Sequence, residues 1–218
     1  MSEMLPSRTV TRLRPFASTI FAEMTALAVA KNAVNLGQGF PDTDGPSAML
    51  EAARDAIANG LNQYSPGPGM PVLRAAISDD RLARFGLRYD PDSQVLVTVG
   101  ATEAISATLL GLIEAGDDVL LIEPFYDSYA AAVALAGATR TAVPLVTDGN
   151  GWTVDTDALE RAVSPRTRML IVNSPHNPTG TVFDRETMIR ISEIAIAHDL
   201  LVLTDEVYEH LIFDDGVH

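Results

Sequence analysis

A chain of 218 residues, 47% of them hydrophobic, has the material for a substantial core, in one large domain or one and a half ordinary ones. Its formal net charge of −14, with scattered arginines, argues against binding nucleic acid through phosphate neutralisation and against an anionic membrane surface. The absence of cysteine excludes disulfides, thiolate nucleophiles and Cys-ligated metals, and no apolar run approaches membrane-spanning length. Arg8, Arg12 and Arg14 near the start are not followed by the apolar core of a secretory signal, so a cytoplasmic location is expected.

In chain order, residues 16–30 read as a helix, with Phe16, Ile20, Met24 and Leu27 at three- and four-residue spacing. Residues 34–42 read as a short strand running into a glycine-rich turn. Pro46 and Ser47 open a second helix that ends at Asn59-Gly60. Residues 63–69 are too rich in Pro and Gly for regular structure, and a helix over 71–85 follows. From Gln94 an alternation begins: strand 95–99, helix 102–114, strand 119–122, helix 128–136 and strand 139–145. After a turn at Asp148-Gly-Asn-Gly151 come helix 156–163, strand 169–173, helix 185–198 and strand 201–204. The strands are continuous apolar runs, as a parallel sheet covered on both faces requires, and the repeated βα units imply a doubly wound α/β fold.

The polar groups worth weighing lie at strand ends, where open α/β sheets collect ligands. Gly100-Ala-Thr-Glu103 leads into a helix; its backbone N–H groups and the Thr102 hydroxyl suit a phosphate, or Thr102 simply caps the helix. Asp205 closes an apolar strand; it can keep a ring nitrogen protonated, with Tyr208 reaching a ring oxygen, or it caps a helix beginning at Glu206 while Tyr208 packs. Asn173 and Asn177 bracket a loop stiffened by Pro175 and Pro178, offering amides to a carboxylate or ring oxygen, or forming an Asn turn. Phe125, past Glu123-Pro124, stacks on a flat ring or packs in the core, and Tyr64 faces a ligand, a partner subunit or solvent. The four histidines do not converge with metal spacing, and no G-x-S-x-G, G-x-G-x-x-G or Walker sequence occurs.

Together these segments resemble the fold-type I, class I/II pyridoxal-phosphate aminotransferases. The resemblance rests on Leu36-Gly-Gln-Gly-Phe-Pro-Asp42, Asn62-Gln-Tyr-Ser-Pro-Gly-Pro-Gly69, Glu123-Pro-Phe-Tyr-Asp127, Asn173-Ser-Pro-His-Asn-Pro-Thr-Gly180 and Thr204-Asp-Glu-Val-Tyr-Glu-His-Leu211. They occur in the family's order and usual relative spacing, across the whole chain. Within the family they look most like the kynurenine/glutamine aminotransferase branch, including actinobacterial N-succinyldiaminopimelate aminotransferases.

The resemblance implies amino-group transfer between an amino acid and a 2-oxo acid, with pyridoxal 5′-phosphate as cofactor, in a homodimer when complete. It implies that Asp205 pairs with the pyridine nitrogen and that Tyr208 and Asn177 bond the 3-hydroxyl oxygen. By the same likeness Ala101 and Thr102 hold the phosphate, Phe125 stacks on the ring, and Tyr64 reaches the neighbouring subunit's phosphate. Gly39 and Asn177 then border the substrate. Residues 1–43 are expected to be an N-terminal arm and part of a small domain, and residues 44–218 the first half of the cofactor-binding large domain. The family's Schiff-base lysine and its substrate-binding arginine lie beyond the Asp-Glu-Val-Tyr segment, so no catalytic residue is expected here and the chain alone should be inactive. Lys31 matches no family lysine and reads as a solvated surface charge. A cysteine-conjugate β-lyase, or a non-catalytic protein of the same fold, remains the alternative.

Overall fold

Continuous apolar runs become the inner strands of a sheet buried on both faces. The structure, a computed structural model, describes residues 9–16, 18–37, 39, 43–147, 149 and 151–213. Its strands are β1 (Asp118–Glu123), β2 (Thr139–Thr147), β3 (Trp152–Val154), β4 (Thr167–Asn173) and β5 (Leu201–Asp205). Their spatial order is β3-β2-β1-β4-β5, with β2, β1, β4 and β5 parallel and β3 antiparallel to β2. The helices are α1 (Ile20–Lys31), α2 (Ser47–Ala58), α3 (Pro71–Phe85), α4 (Gly100–Leu112), α5 (Asp127–Ala136), α6 (Thr156–Ala162) and α7 (Arg185–Ala197), after a 3-10 turn at Thr11–Phe16.

Side chains alternate across each strand, and the two sets build two cores. Leu120, Ile122, Leu170 and Val172 face α6 and α7, packing on Leu159, Ile191 and Ile194. Val119, Leu121, Met169 and Ile171 face α4 and α5, packing on Ile105, Leu109, Tyr129 and Val133. Helices on both faces of a mostly parallel sheet make the expected doubly wound α/β arrangement. The chain leaves β1 toward β2 on one side and later returns to β4 on the other, so the order reverses between β1 and β4. A crevice opens at such a reversal, outside the carboxyl ends of the strands.

Two compact units result: one takes in the chain up to Ala17 and from Gly100 onward, the other Ser18–Val99. Every buried hydrophobic residue among those described belongs to the first. In the second, the buried side chains are polar: Arg74 donates to the carbonyls of Gly69 and Pro91 and pairs with Asp92 at 3.2 Å, while Ser78 donates to the Tyr89 carbonyl.

Several sequence expectations need correction. The first helix begins at Ile20, capped by the Thr19 hydroxyl, and Phe16 belongs to the preceding 3-10 turn. Residues 34–37 form no strand; Gln38 and 40–42 of that expected strand and turn lie outside the described residues. Residues 95–99 form no strand, and Val97 N–H bonds the Pro68 carbonyl instead. Thr102 is not an N-cap, because α4 already begins at Gly100, whose φ of +77° suits glycine alone without strain. Asp205 caps no helix: residues 207–210 form turns, with Glu209 N–H bonding the Glu206 carbonyl and Leu211 N–H that of Tyr208. The short strand β3 was not legible from three residues. Asp148 and Asn150, in the turn before it, lie outside the described residues.

Candidate functional site

The parallel register of β4 and β5 sets Asn173 beside Asp205 at the carboxyl edge of the sheet. Counting back by two, Asp205 shares a face with Leu203, which packs on the core under α4 and α5. The Asp205 carboxylate, half-buried, therefore looks toward α5. There Tyr129, 2% exposed, donates its hydroxyl to Asp205 Oδ2 at 2.6 Å. The other oxygen, Oδ1, accepts the Val207 N–H at 3.2 Å, an Asx-type turn that bends the chain after β5. Burial and the neighbouring Asp205 charge push the Tyr129 phenol well above its ordinary value, so it is a fixed donor at any working pH.

Asn173 does not offer its amide at a loop tip, as the sequence suggested. It is 4% exposed; its Nδ2 donates to the carbonyls of Asp205 and Pro175, and its Oδ1 accepts the Asn177 N–H at 2.7 Å. Every polar group of this side chain is spent on backbone, which ties the ends of β4 and β5 together and orients the Asn177 loop. His176 reinforces that loop: its carbonyl accepts Gly180 N–H, its N–H bonds the Thr181 carbonyl, and its Nδ1 shares a hydrogen bond with Thr179 Oγ1 at 2.9 Å. Burial lowers the His176 basicity, partly offset by the carbonyls of Pro124 and Ile122. The peptide bonds before Pro124, Pro175 and Pro178 are cis.

What remains available is Asn177 and Tyr208. Both line one open cavity of about 260 Å³ with Pro175, His176, Pro178, Gly180, Leu211 and Phe213. Phe125 follows β1 and is half-buried against the α4/α5 core, with Tyr126 beside it, edge-on to Tyr129 at 5.9 Å. Ala101 and Thr102 are exposed in the first turn of α4. Because α4 buries Ile105 and Leu109 on this face and the chain then runs back into β1, its amino end lies toward the carboxyl edge of the strands. On the opposite face, α6 and α7 are capped by Asp155 and Asp184, which accept Ala158 N–H at 2.8 Å and Thr187 N–H at 2.7 Å.

Tyr64 and Gly39 belong to the other unit, Ser18–Val99. Tyr64 is fully exposed, and a Cβ added at Gly39 would meet nothing within 4 Å. Lys31 is an exposed side chain in the last turn of α1. Among the described residues no three His, Asp or Glu side chains are grouped to hold a metal ion, and no helix is long and apolar enough to cross a membrane. The functional-edge residue that sequence reasoning missed is Tyr129. Its signal was the Glu123-Pro-Phe-Tyr-Asp-Ser-Tyr129 run, where only Phe125 was singled out.

The family described as aminotransferase class I and II matches residues 31–217. A probable N-succinyldiaminopimelate aminotransferase, DapC, of Mycobacterium tuberculosis is 64% identical over 96% of this chain and 53% of its own length. The methionine aminotransferase of Escherichia coli is 40% identical over 95% of this chain and 53% of its own. The solved N-succinyldiaminopimelate aminotransferase structure from M. tuberculosis superposes with a TM-score of 0.93, covering 96% of this chain and 55% of that one. The chain thus spans about half the length of the curated relatives it matches.

Proposed function

We propose that this chain, which belongs to the aminotransferase class I and II family, cradles pyridoxal 5′-phosphate and serves amino-group transfer from an L-amino acid to a 2-oxo acid. The observation that carries the reading is the Asp205 carboxylate, held by two donors at the carboxyl edge, on the strand next to β4, which flanks the point where the strand order reverses. The donor set suits the cofactor. Each Asp205 oxygen has one donor and keeps a lone pair, enough for a protonated ring nitrogen. Tyr208 and Asn177 share a cavity and offer a hydroxyl and an amide to a ring oxygen. Ala101 and Thr102 present a helix amino end to the phosphate, and Phe125 offers a flat face to the ring.

When bound, the cofactor supplies an electron sink for charge developing at the substrate α-carbon. The residues of this chain orient it and hold the ring proton in place: Asp205 as the anionic partner, Tyr208 and Asn177 as donors to the ring oxygen. Asn177 also faces the substrate carboxylate, and Gly39, with space around it, borders the substrate. The homodimer, the role of Tyr64 at a partner's phosphate, the domain boundary near residue 43 and a cytoplasmic location belong to the same proposal. So does the substrate in the name of the M. tuberculosis relative, N-succinyldiaminopimelate, the first amino donor to try.

The test uses the full-length protein. Pyridoxal 5′-phosphate is added, the absorption spectrum followed, borohydride added and the labelled peptide mapped. Saturable binding with the label outside this chain supports the proposal; stoichiometric label on Lys31 overturns the reading that these residues carry no Schiff-base lysine. An amino-donor panel with 2-oxoglutarate then ranks substrates, and elimination from cysteine conjugates in place of transfer would favour the β-lyase.

A further inference from the structure

We infer that Tyr129 is a positioning residue: its phenol fixes the torsion of the Asp205 carboxylate so that one oxygen is presented to a protonated ring nitrogen. The inference rests on the cofactor reading above and adds a residue to it. Three observations converge. The Tyr129 hydroxyl lies 2.6 Å from Asp205 Oδ2, short for a neutral donor and typical of one bonded to an anion. The ring that carries this hydroxyl is 2% exposed, wedged among Val133, Met169 and Ile171 and met edge-on by Tyr126, so the donor cannot follow a carboxylate that rotates. The opposite oxygen is pinned to the backbone by Val207 N–H at 3.2 Å. A carboxylate has one soft torsion, and two donors on different elements, α5 and the turn after β5, remove it.

A purely structural role for Tyr129 is also available, since the ring fills part of the α4/α5 core. The two roles separate at the hydroxyl. Loss of the ring would cost packing; loss of the hydroxyl alone leaves packing intact and frees Asp205 to turn. A freed carboxylate must be re-ordered each time a ring nitrogen docks, and that cost falls only on ligands that possess the nitrogen.

The experiment measures dissociation constants of pyridoxamine 5′-phosphate and of its 1-deaza analogue, in which carbon replaces the ring nitrogen, for the full-length protein and its Tyr129→Phe variant. Both ligands bind reversibly, whatever lysine is present. Tyr129→Phe is expected to weaken pyridoxamine 5′-phosphate about tenfold, the scale of one hydrogen bond to a charged group, while leaving the deaza analogue within about twofold. Adding Tyr129→Phe to Asp205→Asn should change neither ligand further. Equal weakening of both ligands, or no change in either, overturns the inference while leaving the cofactor reading standing. A parent protein that binds neither ligand, or does not distinguish them, overturns the cofactor reading and this inference with it. Should the variant fail to fold, tyrosine labelled with carbon-13 at Cζ gives the answer in the parent. Tyr129 must stay protonated through the ordinary phenol range near pH 10 and titrate lower in Asp205→Asn. Titration of Tyr129 in the ordinary range in the parent overturns the inference.

Discussion

Asp118 and Asp205 sit at opposite ends of the same sheet, and each ends or begins a strand. At the amino end, Asp118 is 4% exposed and its carboxylate accepts the hydroxyls of Thr139, Thr141 and Thr167 at 3.0, 3.1 and 3.4 Å. Those threonines come from the two strands that flank β1, so the acid stitches three strands together. At the carboxyl end, Asp205 is half-buried and held by one phenol and one backbone N–H, with lone pairs to spare. The first carboxylate is satisfied by the fold. The second is oriented by the fold and left with capacity, which is what a ligand-facing group needs. A buried acid is therefore not a site by itself; the count of its partners against its lone pairs tells the two apart.

The comparison breaks most directly at Asp205. Asp205→Asn keeps shape and hydrogen-bonding ability and removes the charge. It should lower transamination by at least about 100-fold, the scale for losing one preorganised electrostatic partner, and shift the urea midpoint little. A drop in stability with activity retained would put Asp205 in the same class as Asp118. The converse variant, Asp118→Ala, should cost about 2 kcal/mol of stability, the order expected when a charged group leaves its hydrogen-bonded partners. Cofactor affinity of the folded fraction should stay at the parent value. Denaturation followed alongside cofactor titration reads both quantities from one preparation.

A smaller effect sharpens the contrast between the two faces. Helices α6 and α7 open on Asp155 and Asp184, each accepting a first-turn N–H, whereas α4 opens on glycine with Thr102 in its first turn. Thr102→Val should weaken the phosphorylated cofactor about fivefold, near one neutral hydrogen bond, and leave the unphosphorylated pyridoxal unaffected. Equal affinity losses for both ligands would move Thr102 from the phosphate to the helix.

Much of this was readable from the residues. Apolar runs such as 119–122 and 169–173 marked the parallel strands, and the two motifs at 173–180 and 204–211 marked their carboxyl ends. What was not readable depends on partners distant in sequence. Tyr129 and Asp205 are 76 residues apart, and only the stacking of α5 over the face shared by Leu203 and Asp205 brings them together. Asn173 looked like Asn177 in sequence, yet its strand register with Asp205 turns its amide inward. Residues 95–99 have strand composition, but a strand exists only with a ladder, and among the described residues none is offered. The unit spanning 18–99 was legible as helices while giving no hint that it buries Arg74 and Ser78 in place of hydrophobic side chains.

His176 gives the finest test, because it lies at the open end and yet is bound into the fold. Its ring is 3% exposed, and burial holds its protonation below the ordinary histidine range. The folded protein therefore carries it neutral, while the unfolded chain takes up a proton near pH 6.5. The unfolded state then binds more protons below that pH, so the His176 contribution is complete above about pH 6.5 and is lost as pH falls through the folded-state value. Urea midpoints should be level from pH 8 to 7 and decline toward pH 5, and His176→Gln should remove part of that slope. The pH dependence of cofactor affinity should not follow the same curve, since the ring's Nδ1 is committed to Thr179 and not to the cavity's occupant. If affinity and stability lost their pH dependence together in His176→Gln, the histidine would belong with Asp205 among the groups that face the ligand, and the partner count that separates Asp118 from Asp205 would fail at this residue.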